Sequence, residues 1–373
     1  MSKINILHVV ATGRLSGAEK VIADISTNLN ENYQCYAVCS GEELKKYYEE
    51  KGIKSFIINI NKLNPFEINK LSKLIKEYNI DLVHGHDVKP SIASYIAAKR
   101  HGVPMISHIH VTYTWMKTNK IMKSIDAYFR NRYDLSIACS ELVKDYYEEN
   151  NTSADRDKIV YLDNAFNFNE FNKVVVSDKS EFKKKLGINE EKFIFGFLGR
   201  LIAVKGADLL IKSFSVVAKT NENAQLLIVG DGDEREQLEE LTKQLNLEDR
   251  VIFAGYQKNV YDYMNIFDCF VLPSVREGLP IAVLEAMAMK KLVISTPVAG
   301  LAKLIKNGEN GIMISERSEE ELVNSMLYIY DNADIRSSIE SNAYNYLKEN
   351  YNIDDYVKNL EKYYQKVLGR RSL

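Results

Sequence analysis

The sequence predicts an α/β protein made of two doubly wound, parallel-sheet domains in tandem. Its 373 residues exceed what one ordinary core organises, and the usual domain size points to about two domains. Short β-branched runs alternate with amphipathic helical stretches, the pattern of a parallel sheet covered on both faces. The alternation breaks once, between Asn164 and Gly187, where NAFNFNEFNK is followed by the charged VVVSDKSEFKKKL.

In the first domain, taken as residues 1–172, INILHVVAT reads as a strand, GRLSG as a loop and AEKVIADISTNL as an amphipathic helix. CYAVCS, SFIINI, DLVHGHD, MISHIH and LSIACS are the further strands, most of them separated by helices. In the second domain, residues 173–353, the strands are FIFGFLG, LLIVGDG, VIFAG, CFVLPS and LVISTP. A last helix, DDYVKNLEKYYQKVL, lies within 354–373 and is expected to cross back to the first domain. The domains are expected to face each other across a cleft, with ligands at the carboxyl ends of the strands.

Composition narrows the class. Hydrophobic content of 46% and charged content of 27% are those of a soluble globular protein. A net charge of -2 lacks the basic surplus of a nucleic-acid binder. No apolar run approaches the ~18 residues of a membrane span, and MSKINILHVVATG reads as a first strand rather than a signal peptide. Cys35, Cys39, Cys139 and Cys269 are scattered along strand-like stretches, so no disulfide framework is expected and a reducing cytoplasm is the natural setting.

The candidate chemistry sits at strand ends. FIFGFLGRLIAVKG places Arg200 and Lys205 just after a strand, a cation pair suited to a diphosphate. LLIVGDGDEREQLEEL carries Gly230 and Gly232 but lacks the third glycine of a dinucleotide fingerprint, so it reads as a tight turn. In VREGLPIAVLEAMAM, Glu277 precedes a very apolar helix and Glu285 lies inside it. Glutamate is rarely buried without a partner. With Pro280 at the first helical position, the N–H groups of Gly278, Leu279 and Ile281 would form an anion site. Taken singly, each glutamate reads as a surface or capping residue.

Together these features resemble glycosyltransferase family 4, retaining enzymes of the GT-B fold. The matching residues are GRL with KG at 199–206, VGDGDER at 229–235, and EGLPIAVLE at 277–285, an E-x7-E motif. VAGLAKLIKNGENGIMI at 298–314, GRLSGAEKVIADIS at 13–26 and VPMISHIH at 103–110 extend the resemblance over nearly the whole chain. The resemblance implies roles for each matching position. Arg200 and Lys205 would neutralise the donor diphosphate, Glu285 would hold the ribose and Glu277 the donor sugar's hydroxyls. Gly17 would let the first loop approach the donor, and His110 would contact the sugar near the reacting carbon. It implies a nucleotide-sugar donor, UDP before GDP, and a glycan or lipid-linked saccharide acceptor. No metal and no cofactor are expected, because the cations and helix N–H groups stabilise the leaving group. The family's paired glycines are Ser16 and Gly17 here, and its linker motif appears as Asn164, Ala165, Phe166 and Asn167. A composition rich in Lys, Asn, Ile and Tyr fits a low-GC bacterium and a cell-surface polysaccharide or glycolipid pathway.

Two segments carry competing readings. HGH at 84–86 and HIH at 108–110 could form a metal site on neighbouring strands. The favoured reading is one functional histidine, His110, with the others packed or lining the cleft. WMKTNKIMKSIDAYFRNRY, 115–133, interleaves apolar residues with five cations. It reads as a packed amphipathic helix, and alternatively as a surface touching anionic membrane on the cytoplasmic face. A nucleotide-sugar epimerase on the same scaffold and a non-catalytic nucleotide-sugar binder are the alternative functions; the coupled Arg/Lys and E-x7-E residues stand against both.

Overall fold

The computed structural model describes residues 3–369, in two compact units. One runs up to Ala165 and takes back the segment from Ile353 onward; the other is Phe166–Asn352. The returning segment is the helix Ile353–Gly369; residues 370–373 of the expected segment lie outside the described residues. The division falls earlier than residue 172 for a local reason. The Phe166 ring packs on Phe168 and Phe171 at 4.8 and 5.4 Å, Phe168 on Tyr344 at 5.7 Å, and Phe171 on Tyr261 at 5.6 Å. These aromatics commit 166–172 to the second unit, since buried aromatic area dominates local packing.

The first unit is a seven-stranded parallel sheet of β1 (Ile4–Val9), β2 (Tyr33–Cys39), β3 (Lys54–Ile57), β4 (Leu82–His86), β5 (Met105–Ile109), β6 (Leu135–Ala138) and β7 (Ile159–Tyr161), ordered 3-2-1-4-5-6-7. The three-residue β7 was not foreseen, because IVY is too short to carry a period in a charged stretch. The second unit is a six-stranded parallel sheet of β8 (Phe193–Leu198), β9 (Ala224–Val229), β10 (Val251–Gly255), β11 (Cys269–Leu272), β12 (Leu292–Ser295) and β13 (Ile312–Met313), ordered 10-9-8-11-12-13. In each sheet the order reverses beside the first strand, at β1/β4 and at β8/β11. Doubly wound sheets bind ligands at the carboxyl ends beside such a switch point.

Both faces are covered by helices, so most strands are buried on alternate and intervening positions alike. All six residues of β9, AQLLIV, are buried. The five residues of β4, LVHGH, are equally buried although two are histidines. The four cysteines are free and buried. Among the described residues no helix is long and apolar enough to cross a membrane.

Candidate functional site

In the second unit, β8 ends at Leu198 and the following loop carries Arg200 and Lys205. Lys205 closes a short 3-10 turn, Ala203–Lys205, and Gly206 follows with φ +72°. A Cβ at Gly206 would stand 2.3 Å from the Pro273 carbonyl oxygen. Glycine is therefore what lets this loop dock on the end of β11. The Val275 N–H donates to the Val204 carbonyl at 2.8 Å and holds the two loops together.

That docking brings Lys205 Nζ to Glu277 Oε1 at 2.6 Å. The Ser274 hydroxyl donates to the same oxygen at 2.7 Å. Glu277 is only 6% exposed, so its carboxylate is held by a cation and a hydroxyl instead of by water. Arg200, across the same loop, is exposed and makes no ion pair among the described residues.

The helix after this loop is Ile281–Ala288, with Pro280 as its N-cap at φ -72° and ψ 123°. The expectation that Pro280 is the first helical residue is thus corrected by one position, because its extended ψ keeps it outside the helix. The Gly278 carbonyl accepts from Gly300 N–H at 2.7 Å, which orients the peptide ahead of the helix. Leu279 and Ile281 are buried. Neither the Gly278 nor the Ile281 N–H has an acceptor among the described residues. Unspent N–H groups at a helix start, with the helix dipole behind them, favour an anion. Glu285, one turn in and also 6% exposed, accepts from the Tyr261 hydroxyl at 3.2 Å. Gly230 behaves as a turn glycine: its φ is +137°, and a Cβ would lie 1.9 Å from the Gly199 carbonyl oxygen.

In the first unit, Gly17 opens the helix Gly17–Asn28 and is exposed. Ser16 is the N-cap, yet its hydroxyl makes no cap bond and donates to the Glu19 carboxylate. Thr12 donates to the other Glu19 oxygen at 2.5 Å. Glu19, 1% exposed, was not singled out from sequence; its signal is the S-x-x-E spacing of a capping box in SGAE. His110 follows β5 and is buried. Its N–H donates to Asp87 Oδ1 at 3.3 Å, and the Tyr113 hydroxyl donates to the same oxygen at 2.6 Å. Asp87 adopts φ +67°, uncommon for a side-chain-bearing residue.

Five of the six histidines, His8, His84, His86, His108 and His110, are buried together. Burial pushes His8 down to about 3. It holds His84, His86 and His108 well below the ordinary imidazole value, and their neighbouring imidazoles push them further. His110 is lowered by burial and partly restored by Asp87 and Glu19. His8 was missed as a member of this group; its place on β1, opposite His84 in register, was the available signal.

The segment 115–133 is mostly packed. Met116 and Arg130 are buried, Trp115 stacks on Tyr113 at 5.4 Å, and Arg130 pairs with buried Asp126 at 3.0 Å. Arg130 therefore drops out of the expected cationic surface. The large apolar side chains that remain exposed on the helix Lys120–Arg130 are Ile121 at 74%, Ile125 at 39% and Tyr128 at 54%.

Two doubly wound parallel sheets in tandem are the architecture of the GT-B fold. Residues 15–169 match the family model for Glycosyltransferase Family 4, and 178–346 that for Glycosyl transferases group 1; the chain belongs to the family 4 glycosyltransferases. It is 25% identical over 378 residues to the UDP-Gal:alpha-D-GlcNAc-diphosphoundecaprenol alpha-1,3-galactosyltransferase of Escherichia coli, covering 97% of this chain and 96% of that protein. It is 24% identical to the N-acetyl-alpha-D-glucosaminyl L-malate synthase of Bacillus anthracis over 330 residues, 86% of this chain and 84% of that one. Among solved structures, Anabaena Alr3699/HepE in complex with UDP-glucose superposes with a TM-score of 0.88 at 21% identity, covering 97% of this chain and all of that one; this likeness concerns the fold.

Proposed function

We propose that this glycosyltransferase retains anomeric configuration and takes a UDP-sugar as donor, with a glycan or lipid-linked saccharide as acceptor in cell-surface polysaccharide synthesis. The observation that carries the reading is the Lys205–Glu277 pair, 2.6 Å apart and set beside the unspent N–H groups of Gly278 and Ile281. An ion pair at a strand's carboxyl end, next to a helix start, is preorganised for a diphosphate and the sugar hung from it. The names of relatives that use UDP-galactose or complex UDP-glucose support UDP as the nucleotide. The diphosphoundecaprenol in one of those names supports a lipid-linked acceptor.

In this reading Arg200, without an ion-pair partner among the described residues, and Lys205 take the diphosphate charge as the sugar departs. Glu277 exchanges its Lys205 contact for the sugar's hydroxyls. Glu285 offers its carboxylate to the ribose, and the family resemblance assigns Gly17 and His110 contacts with the donor. No protein carboxylate is required as nucleophile; the acceptor attacks from the face the leaving group vacates. No metal is required, because cations and N–H dipoles stabilise the leaving diphosphate. The exposed stripe of Ile121, Ile125 and Tyr128, with exposed Lys117, Lys120 and Arg132 nearby, favours peripheral contact with anionic lipid at the inner face of the cytoplasmic membrane.

Nucleotide release from a panel of UDP- and GDP-sugars tests the proposal. Turnover with a UDP-sugar and a lipid-linked saccharide, with the product linkage keeping the donor's anomeric configuration by NMR, is expected. No turnover of any donor, together with unchanged nucleotide-sugar binding by Glu277→Ala, would sink it.

A further inference from the structure

We infer that His8, His86 and His110 form a hydrogen-bonded imidazole wire that fixes the tautomer of His110, leaving the proton on His110 Nδ1 as a donor toward the substrate. The inference rests on the reading of His110 as a site residue and makes His86 and His8 positioning residues.

The wire follows from strand geometry. His8 on β1, His84 and His86 on β4, and His108 with His110 on β5 and just beyond it are spaced by twos, so their side chains share one face. Parallel registry pairs His8 with His84 and His86 with His108. On that face His8 Nδ1 meets His86 Nε2 at 3.0 Å, and His86 Nδ1 meets His110 Nε2 at 2.9 Å. The ring centroids of these pairs stand 5.3 and 5.2 Å apart. Each centroid separation exceeds its N···N distance by about the two ring radii, so the nitrogens lie in line between the rings. In-line N···N contacts of this length are hydrogen bonds.

Counting protons selects the tautomer. Burial keeps these imidazoles uncharged near neutrality, so three rings hold three ring protons. Two protons occupy the two hydrogen bonds, and the third must sit at one end of the wire. One end is His8 Nε2, which is sealed from solvent with no partner among the described residues. The other is His110 Nδ1, which is not among the sealed, partnerless atoms. An orphaned buried N–H is rarer than an orphaned acceptor, so the third proton belongs on His110 Nδ1. The backbone of His110 is pinned as well, by Asp87 on its N–H and by the Cys139 thiol, which donates to its carbonyl at 3.2 Å. His110 therefore meets a sugar or phosphate oxygen as a neutral donor, and is not available as a base for the acceptor hydroxyl.

A metal is the competing use of these rings, since His8, His84 and His86, and His86, His108 and His110, each bring three ligand atoms within 4.8 Å. Ring orientation and existing contacts count against that use, although His84 Nε2 and both nitrogens of His108 are buried without partners among the described residues. His108 lies flat on His110 at 4.3 Å and 9°, with parallel lone pairs. His84 Nδ1 is engaged by the Tyr364 hydroxyl at 2.8 Å, and both nitrogens of His86 are spent within the wire.

Long-range 1H–15N spectra of the full-length protein labelled at histidine test the inference, with His110 assigned by its loss in His110→Gln. The expected spectrum shows His110 protonated at Nδ1 and unprotonated at Nε2. His86→Phe should move His110 to the Nε2–H form and lower kcat by roughly tenfold or more, as loss of a tautomer-fixing partner does, with a smaller effect on donor KM. His86→Asn, whose amide can donate from near the place of Nδ1, should restore both. The inference is overturned by an Nε2–H His110 in the unaltered protein, by a tautomer that ignores His86→Phe, or by a stoichiometric zinc that survives chelator dialysis. The spectra decide the wire without activity. An Nδ1–H His110 in a chain that turns over no donor supports the wire while defeating the functional reading.

Discussion

Lowering the pH from 7 to 5.5 should destabilise the first unit steeply, because its histidine cluster is buried uncharged. His8, His84, His86 and His108 have folded values far below the ordinary one. In the unfolded chain each returns to about 6.5. The unfolded state therefore binds more protons, and stability present above the unfolded value is lost as pH falls through it. Between pH 7 and 5.5, a histidine that stays neutral when folded costs about 1 kcal/mol of stability by this linkage. Four such groups together withdraw a few kcal/mol, a large part of a domain's whole stability of about 5–15 kcal/mol. His8, at about 3 when folded, lies below the whole window, so its share of the loss continues throughout it. The chain has a single tryptophan, Trp115, and it lies in the first unit, so its fluorescence reports that unit's unfolding selectively. Urea titrations at half-unit pH steps should show the Trp115 midpoint falling continuously with little change in slope. A midpoint that stays level from pH 7 to 5.5 would refute the buried, neutral cluster.

Glu277→Ala should lower kcat by about 10²–10³, the scale of losing one preorganised transition-state contact, with UDP affinity by calorimetry changed only a few-fold. Glu285→Ala should do the opposite: a donor Kd raised about tenfold or more, the effect of losing a charge-assisted hydrogen bond, with kcat at saturation nearly kept. Comparable damage to both parameters by both variants would contradict this division of labour. Exhaustive treatment with EDTA should leave the turnover rate unchanged, and restoration of a lost rate by Mg2+ or Mn2+ would contradict metal-independence. Ile121→Asp with Ile125→Asp should abolish flotation with vesicles containing anionic lipid while leaving turnover of a soluble acceptor intact; flotation equal to the parent would remove the helix Lys120–Arg130 as a membrane contact.

Much of this molecule was legible because its signals are local. Eleven expected strand segments follow from β-branched runs between helices, and their order along the chain predicts parallel sheets. Glu277 and Glu285 stood out because carboxylates flanking a very apolar helix need partners, and both are buried. Their partners were not legible. Ser274 is close by in sequence, but Tyr261 lies 24 residues from Glu285 and Lys205 72 residues from Glu277. The short β7 and the Phe166 aromatic cluster escaped for the same reason: packing, not periodicity, decides them.

The histidines divide the two kinds of information most clearly. Spacing by twos in HGH and HIH, and the position of His8 on the first strand, follow from the sequence, because alternate residues of a strand share a face. So did the family, from motifs whose residues lie within a few positions of one another. Only tertiary structure decided that the rings meet end to end, that Glu277 rests on Lys205, and that Arg130 turns inward to Asp126. Those outcomes depend on which strands become neighbours and in what register. The physical reason is that a hydrogen bond or ion pair is set by ångströms in space, whereas a sequence pattern records only separation along the chain.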